Sequence, residues 1–252
     1  MGRLPARLAN RAPIDLSTLD ELTLMGLIDH SLLRPELTRR EIEAGVDLAM
    51  EWQTATVCCR PADLSLVVGR LRKTPVSAST VIGFPHGSNL PQIKKREAMV
   101  AVEQGAVEID LVLNIGALRS GDRGYICDEL SDLIYQIAPT PVKVIIETAY
   151  LTPEQVEDGC RVAVEARAAF VKNGTGFSPR GAEASEIALM RRVVGDRVGV
   201  KAAGGVRTLD AMLAMIAAGA NRIGATATAA IGAEWRARGQ ETVADLLAAK
   251  AG

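Results

Sequence analysis

Short apolar runs alternate with longer amphipathic stretches along most of this chain. The runs have the length and the β-branched content of buried strands, and the stretches between them repeat apolar residues at helical spacing. Each run is therefore predicted to be a strand that is followed by a helix. The eight predicted strands cover residues 27–30, 55–58, 76–82, 107–113, 142–146, 169–172, 198–201 and 221–224.

Capping residues and helix-breaking residues mark the ends of the predicted helices. Thr38, with Glu41 three positions later, forms a capping box. Pro61 stands at a favoured first helical position, and Gly105 is a typical helix end. Helices are predicted over residues 38–52, 91–104, 122–138, 182–194, 208–218 and about 240–250, and two more begin at 61 and at 152–154.

Eight strand–helix units predict an α/β fold, a (β/α)8 TIM barrel in a single domain. The chain length of 252 residues suits one such domain. The alternative is an open doubly wound sheet, which carries a glycine-rich turn after its first strand. Residues 31–35 contain no glycine, whereas glycine-rich turns follow strands six to eight, where barrels commonly bind phosphate. Residues 1–14 are predicted to be an N-terminal arm, and residues 15–252 the barrel.

Composition and charge argue against several other classes of function. The net charge of -1 gives no reason to expect nucleic acid or a membrane surface as a partner. No stretch approaches the roughly 20 apolar residues of a membrane span. The four cysteines lack Cys-x-x-Cys spacing and are expected to be reduced thiols of a cytoplasmic protein. His30 and His86 are the only histidines, so we expect no metal centre and no cofactor.

Two lysines carry the strongest chemical signal in the chain. Lys172 and Lys201 each end a predicted strand, and a glycine-rich turn follows each of them. Burying an ammonium group is costly, and two neighbouring ammonium groups repel each other. Both effects favour loss of a proton, and a neutral lysine is a nucleophile. Because the backbone amides of the turns can hold an anion, the pattern predicts covalent amine catalysis on a phosphorylated carbonyl compound.

Carboxylates fall at the same ends of other predicted strands. Asp29 and Asp110 end strands one and four, and Glu147 lies just past strand five. In a barrel these strand ends form one mouth. Alternation puts Glu108 on the same face as Asp110, and a carboxylate that points into a barrel needs a cationic partner. We expect Lys143, on strand five, to pair with Asp110 or Glu147.

Seven segments occur in the order in which deoxyribose-phosphate aldolases, which are class I aldolases, carry them. They read LIDHSLL at 27–33, VC at 57–58 with Pro61, VIGFPHG at 81–87, EIDLVLNIG at 108–116, KVIIET at 143–148, KNGTGF at 172–177 and VKAAGGVR at 200–207. The chain resembles that family from about residue 27 to residue 232.

The resemblance implies a role for each candidate residue. Lys172 matches the Schiff-base lysine, Lys201 matches the second lysine that lowers its pKa, and Asp110 matches the carboxylate that relays a proton through a water. Asp29 matches a carboxylate of the active-site network, and Cys58 matches a pocket cysteine near the aldehyde site. The residues that match the phosphate-holding turns are Thr175, Gly176, Gly204, Gly205, Gly224, Ala225 and Thr226.

The family reaction is the reversible cleavage of 2-deoxy-D-ribose 5-phosphate to acetaldehyde and D-glyceraldehyde 3-phosphate. The resemblance therefore implies a small phosphorylated sugar or aldehyde as the partner, and a homodimer as the assembly. Two departures bear on the substrate. Asn173 and Gly174 stand where the family usually has Thr-Ser, and Gly174 is expected to loosen the turn. Some members also carry a tyrosine tail, and no tyrosine follows Tyr150 here.

The residues alone leave other interpretations open. Lys172 also fits a strand-end lysine that reaches solvent, and Lys201 fits a point charge for phosphate. Asp29 fits a turn cap, Asp110 a structural partner of a lysine, and Cys58 a small buried residue. The alternative functions are a Schiff-base aldolase with a different aldehyde pair, a non-covalent phosphosugar isomerase or lyase, and a phosphosugar-binding protein without catalysis.

Overall fold

The strands form the closed barrel that the sequence predicts. The computed structural model describes residues 11–251. Eight parallel strands pair with their neighbours in chain order, and the first also pairs with the last, which closes the sheet. The strands are β1 (Ile28–Leu32), β2 (Thr56–Cys59), β3 (Ser77–Ile82), β4 (Glu108–Val112), β5 (Val142–Ile145), β6 (Phe170–Lys172), β7 (Gly199–Ala203) and β8 (Arg222–Ala225).

Helices connect the strands and surround the barrel. They are α1 (Glu21–Met25), α2 (Arg39–Glu51), α3 (Leu64–Arg70), α4 (Pro91–Glu103), α5 (Ile115–Arg119), α6 (Arg123–Gln136), α7 (Pro153–Glu165), α8 (Ala184–Val194), α9 (Leu209–Ala217) and α10 (Thr228–Ala251). The predicted capping box is confirmed, because Thr38 and Glu41 exchange hydrogen bonds at the start of α2. Among residues 11–251, no helix has both the length and the apolar character needed to cross a membrane.

Two details of the helical prediction are wrong. The last helix begins at Thr228 rather than near residue 240. Gly232 weakens the helical pattern there, yet a Cβ at this position would lie 2.2 Å from the Trp52 ring, so close packing explains the glycine. The two five-residue helices, α1 and α5, were not predicted. The side chain of Asn114 caps α5 by accepting from the Ala117 amide at 3.0 Å. A helix of five residues is too short to show a periodic pattern.

The strands separate an apolar shell from a charged interior. Outward-facing residues such as Val57, Leu111, Val144 and Ile223 are fully buried between the sheet and the helices. Each such side chain stabilises the fold by about 1.5–3 kcal/mol on leaving water. Buried residues of the opposite face are mostly polar or charged: Asp29, Thr56, Ser79, Glu108, Asp110, Lys143, Lys172, Lys201 and Arg222. The apolar shell thus holds ionised groups inside the barrel.

An aromatic ring lies between two arginines at the N-terminal end of the barrel. The guanidinium carbon of Arg11 lies 5.4 Å from the centre of the Phe170 ring, and that of Arg222 lies 5.2 Å from it. Phe170 is the first residue of β6, so these contacts lie at the end of the barrel opposite the strand carboxyl ends. Residues 1–10 of the predicted N-terminal arm lie outside the described residues.

Candidate active site

The four predicted catalytic residues meet inside the barrel, each on a different strand. Lys172 ends its strand as predicted. Asp29, Asp110 and Lys201 were also expected at strand ends, but each strand continues for two or three residues beyond them. The Nζ atom of Lys172, on β6, lies 2.9 Å from Oδ2 of Asp110 on β4. Lys201, on β7, lies 2.7 Å from the same oxygen and 2.6 Å from Oδ2 of Asp29 on β1. The register of β6 and β7 pairs Lys172 directly with Lys201. The two amines are therefore adjacent and share one carboxylate oxygen.

A second layer of charges supports these residues from deeper in the barrel. Lys143 donates to Oδ1 of Asp110 at 3.0 Å, which confirms its predicted pairing with that residue, and lies 2.7 Å from Glu108. Arg222 donates to Glu108 at 2.9 Å and to Asp29 at 2.9 Å. The sequence had not identified Arg222 or Glu108 as site residues. The one feature of the sequence that could have identified them is the alternation of side chains along a strand, which places both of them inside the barrel.

The surroundings of the two amines differ in the number of carboxylates. Burial lowers the pKa of Lys172, and Lys201 lowers it further, while Asp110 opposes the shift. Burial also disfavours the charged form of Lys201, but Asp110 and Asp29 outweigh it and raise its pKa above the ordinary value. The lysine with one carboxylate partner therefore loses its proton more easily than the lysine with two. Burial, rather than the neighbouring cation, is the larger cause for Lys172.

The carboxylates of the cluster stay ionised. Burial alone would raise the pKa of Asp110, yet Lys143, Lys201 and Lys172 together hold it well below the usual range. The pKa of Asp29 is also lowered, because Lys201, Lys143 and Arg222 outweigh its burial. Within residues 11–251, no group of His, Cys, Asp and Glu side chains is arranged to hold a metal ion. The charges of this site are balanced by lysine and arginine instead.

One cavity at the barrel mouth brings the predicted binding residues together. Its volume is about 360 Å³, which falls in the range of small-ligand sites. Lys172, Lys201 and Asp29 reach it, whereas Asp110 lies behind the two lysines. The predicted substrate-binding residues that line it are Cys58, Thr175, Gly176, Gly204, Gly205, Gly224, Ala225 and Thr226. Arg34 and Arg207 also line the cavity and had not been predicted.

The turns after β6 and β7 present free backbone amides to this cavity. Gly176, Gly204 and Gly205 have φ angles of +85°, +94° and +79°, which favour glycine. In the described part of the chain, their amides donate to no other protein group. Successive free amides in such turns bind anions. This geometry suits a phosphate group at the turns that follow the two lysine strands.

The departure from the family sequence after Lys172 is tied to a neighbouring glutamate. Asn173 accepts a hydrogen bond from the amide of Ala203 at 2.8 Å, which joins the ends of β6 and β7. A Cβ at Gly174 would lie 2.8 Å from Oε1 of Glu147. The Glu147 carboxylate accepts from the amide and the hydroxyl of Thr175, at 3.2 and 2.5 Å. Gly174 therefore leaves room for the Glu147 carboxylate, and the residues on both sides of it are hydrogen-bonded.

The wall near Cys58 is apolar. Cys58 packs with Leu33 and Val81, and Phe84 lies against them. The Phe84 ring meets the ring of Phe177 edge to face, with centres 5.3 Å apart. Burial raises the pKa of the Cys58 thiol, which supports its interpretation as a small buried residue rather than a nucleophile. The cavity therefore has one apolar wall and one wall of free amides.

Comparisons with known proteins show the family to which the chain belongs. A closed barrel with a charged mouth at its strand carboxyl ends is the arrangement of TIM-barrel enzymes. The profile of the DeoC/LacD family aldolases matches residues 20–235. The chain belongs to the DeoC/LacD family of aldolases, which are lyases.

Named relatives and solved structures give the same result. A deoxyribose-phosphate aldolase of Thermoanaerobacter sp. (strain X514) is 46% identical over 217 residues, which are 85% of this chain and 97% of the relative. The structure of the aldolase QR15 has a TM-score of 0.82 at 35% identity and covers 86% of this chain and 97% of its own. A putative deoxyribose-phosphate aldolase from Coccidioides immitis has a TM-score of 0.84 at 32% identity, over 94% and 92% of the two chains.

Proposed function

We propose that this chain is a deoxyribose-phosphate aldolase that cleaves 2-deoxy-D-ribose 5-phosphate reversibly to acetaldehyde and D-glyceraldehyde 3-phosphate. Lys172 is the amine that forms the Schiff base. The observation that carries the proposal is the pairing of Lys172 with Lys201 across one oxygen of Asp110, beside a cavity that is also lined by the free amides of the turns after β6 and β7. The relatives at 46% and 43% identity carry the same enzyme name.

The chemistry begins at the neutral amine of Lys172. It adds to the aldehyde carbon of the open-chain sugar, and loss of water gives a protonated imine. The C3 hydroxyl then loses its proton as the C2–C3 bond breaks, and the bonding pair moves into the imine to form an enamine. Glyceraldehyde 3-phosphate leaves. Protonation of the enamine carbon and hydrolysis of the imine release acetaldehyde and restore the amine.

The other members of the cluster move protons and hold charge. Asp110, which bonds both lysines, is the relay for the proton that leaves and returns. Lys201 stays charged, because Asp29 and Asp110 both pair with it, and it stabilises negative charge that develops on the substrate oxygen. The amides of Gly176, Gly204 and Gly205 hold the phosphate, and Thr175, Gly224, Ala225 and Thr226 complete that wall.

Borohydride trapping tests the amine and the substrate separately. Wild-type protein that is incubated with acetaldehyde and reduced should carry an ethyl group on Lys172. Lys172→Ala should not trap the aldehyde on Lys201 instead, and a Lys172→Ala protein that still traps would refute the proposal. The exposed Lys73 gives the matched control, because Lys73→Ala should trap as the wild type does. Purified protein is also assayed with different aldehyde pairs. Trapping at Lys172 without cleavage of the deoxyribose phosphate would keep the Schiff base and reject this substrate.

We further propose that the protein works in the cytoplasm as a homodimer. The cysteines Cys58, Cys59, Cys127 and Cys160 are all free thiols, which suits a reducing compartment. A related structure, from Aeropyrum pernix at 25% identity, is described as tetrameric. Light scattering of the purified protein measures its mass directly. A monomer or a tetramer would reject the dimer.

A further inference from the structure

We propose that Arg222 and Glu108 are positioning residues that set the pH at which Lys172 becomes a nucleophile, through the charge balance of the cluster that holds its amine. The proposal rests on the proposed function only in taking Lys172 as the reacting amine. Arg222 is the first residue of β8 and Glu108 the first of β4. We call these two residues the lower ion pair.

The lower ion pair is buried and does not line the cavity at the barrel mouth. Arg222 is 1% exposed and Glu108 is 0% exposed. The NH1 group of Arg222 lies 2.9 Å from Oε2 of Glu108, and NH2 lies 3.5 Å from Oε1. The same NH1 group lies 2.9 Å from Oδ1 of Asp29. Of the residues described, the cavity at the barrel mouth is lined by Asp29 but by neither member of the lower ion pair. An effect of these two residues on the reaction must therefore pass through other side chains.

Two chains of contacts join the lower ion pair to the reacting amine. The Glu108 carboxylate lies 2.7 Å from Lys143, which donates to Asp110 at 3.0 Å. The Arg222 guanidinium donates to Asp29, which also accepts from Lys201 at 2.6 Å. Lys201 in turn donates to Asp110 at 2.7 Å. Both chains end on Asp110, the carboxylate that pairs with Lys172 at 2.9 Å. The lower ion pair thus contacts Lys143 directly and Lys201 through Asp29, and these are the two other lysines that bond Asp110.

The charges of the barrel interior do not cancel when every group is ionised. The groups around Lys172 are Asp29 on β1, Cys58 on β2, the Ser79 hydroxyl on β3, Glu108 and Asp110 on β4, Lys143 on β5, Lys201 on β7 and Arg222 on β8. Within this cluster of ion pairs, four cations face three carboxylates, because burial keeps the thiol neutral. Buried Glu147, just past β5, bonds Thr175 and is not part of the cluster. Half-buried Arg11 adds positive charge at the N-terminal end. The cluster therefore has one cation more than it has carboxylates. Lys172 loses its proton more readily than Lys143 or Lys201, because it alone among these lysines has a single carboxylate partner.

Charge-changing variants of the lower ion pair test this balance. Arg222→Met removes one buried cation and should shift the titration of Lys172 upward, on the order of one pH unit, because fewer cations then disfavour its charged form. Glu108→Gln removes an anion and should shift the titration downward. Arg222→Lys keeps the charge and should leave it near the wild-type value. The double variant restores the excess of one cation and should do the same.

The readout is the rate at which cyanate carbamylates Lys172 as a function of pH. Only the neutral amine reacts, and peptide mass spectrometry reports each lysine separately. The exposed Lys73 in the same sample is the internal reference, so changes in the reagent with pH cancel. This reaction needs no aldol activity. A failed cleavage assay would therefore reject the proposed function without affecting this result.

Opposite shifts in the two single variants would support the proposal, because a merely structural role lowers the thermal midpoint without moving the Lys172 titration in opposite directions. The proposal would be overturned if the pH midpoint of the Lys172 titration were unchanged or lowered in Arg222→Met. It would also be overturned if that pH midpoint were raised in Glu108→Gln. If Arg222→Met does not fold, Glu108→Gln and the double variant still isolate the charge of Arg222. Equal titration of these two would also overturn the proposal.

Discussion

Replacing Asp110 by asparagine should separate imine formation from turnover. The Asp110 carboxylate lies 3.0, 2.9 and 2.7 Å from the amines of Lys143, Lys172 and Lys201. Asparagine keeps the shape of the side chain and removes its charge. Because this carboxylate opposes the loss of the Lys172 proton, its removal makes the neutral amine available at lower pH.

The contact distances give the size of the effect. Two unit charges about 4 Å apart interact by about 4 kcal/mol at an effective dielectric constant of about 20, which corresponds to about three pKa units. The titration of Lys172 in Asp110→Asn should therefore move to lower pH by up to about three units. Loss of the proton relay should lower the rate of cleavage by about 10²–10⁴. Removing one partner of a buried ion pair should also destabilise the fold by about 3–5 kcal/mol.

Trapping and turnover are measured on the same preparation. Borohydride trapping of acetaldehyde on Lys172 is followed from acid to neutral pH, and kcat is taken from the release of glyceraldehyde 3-phosphate. Asp132→Asn is the control, because that carboxylate is 59% exposed and pairs with Lys95 on the surface. Circular dichroism verifies the fold of both variants. Trapping that moves to higher pH, or that is lost together with turnover in a folded variant, would refute the reasoning.

Two further predictions concern the phosphate wall and the stability of the fold. Gly204→Ala should raise KM for the phosphorylated substrate about tenfold and leave acetaldehyde trapping unchanged, because its φ of +94° disfavours a side chain and its Cβ would lie 3.3 Å from Gly181. Gly69→Ala, in exposed open space on α3, should leave KM unchanged, and equal KM values for both variants would count against a phosphate site there. Burial lowers the pKa of His30 to about 4, so the unfolded chain binds a proton that the folded chain does not between about pH 6.5 and pH 4. Stability should therefore fall by up to about 3 kcal/mol as the pH drops through that window, and urea unfolding of wild type and His30→Gln should show a smaller loss in the variant.

The regular parts of the fold were predictable from the sequence. Each strand is a short apolar run between stretches of helical period. The predicted first and last residues of every strand lie within two residues of those in the structure. The start of α10 was not predictable, since Gly232 serves a contact with Trp52, which lies far away in the sequence. Local patterns show which residues are apolar, whereas the packing partner of a glycine exists only in three dimensions.

The members of the candidate site could be named from the sequence, but the charge balance among them could not. Strand ends and glycine-rich turns identified Lys172, Lys201, Asp29 and Asp110, and the structure brings them together. The lysine that loses its proton most readily is set by how many carboxylates each lysine contacts. The spacing of residues along the sequence does not reveal those contacts. Arg222 was missed for a related reason: most arginines of a soluble chain lie on its surface, and its partners come from β1 and β4.

The ionic contacts of Asp29 join the two ends of the sheet. Asp29 lies on the first strand, and it bonds Lys201 on the seventh and Arg222 on the eighth. The proposed reaction requires that network, so a refolding protein cannot regain turnover until its terminal strands have met. The recovery of enzymatic activity after dilution from denaturant would consequently report the closure of the barrel, whereas far-ultraviolet circular dichroism would report the formation of secondary structure.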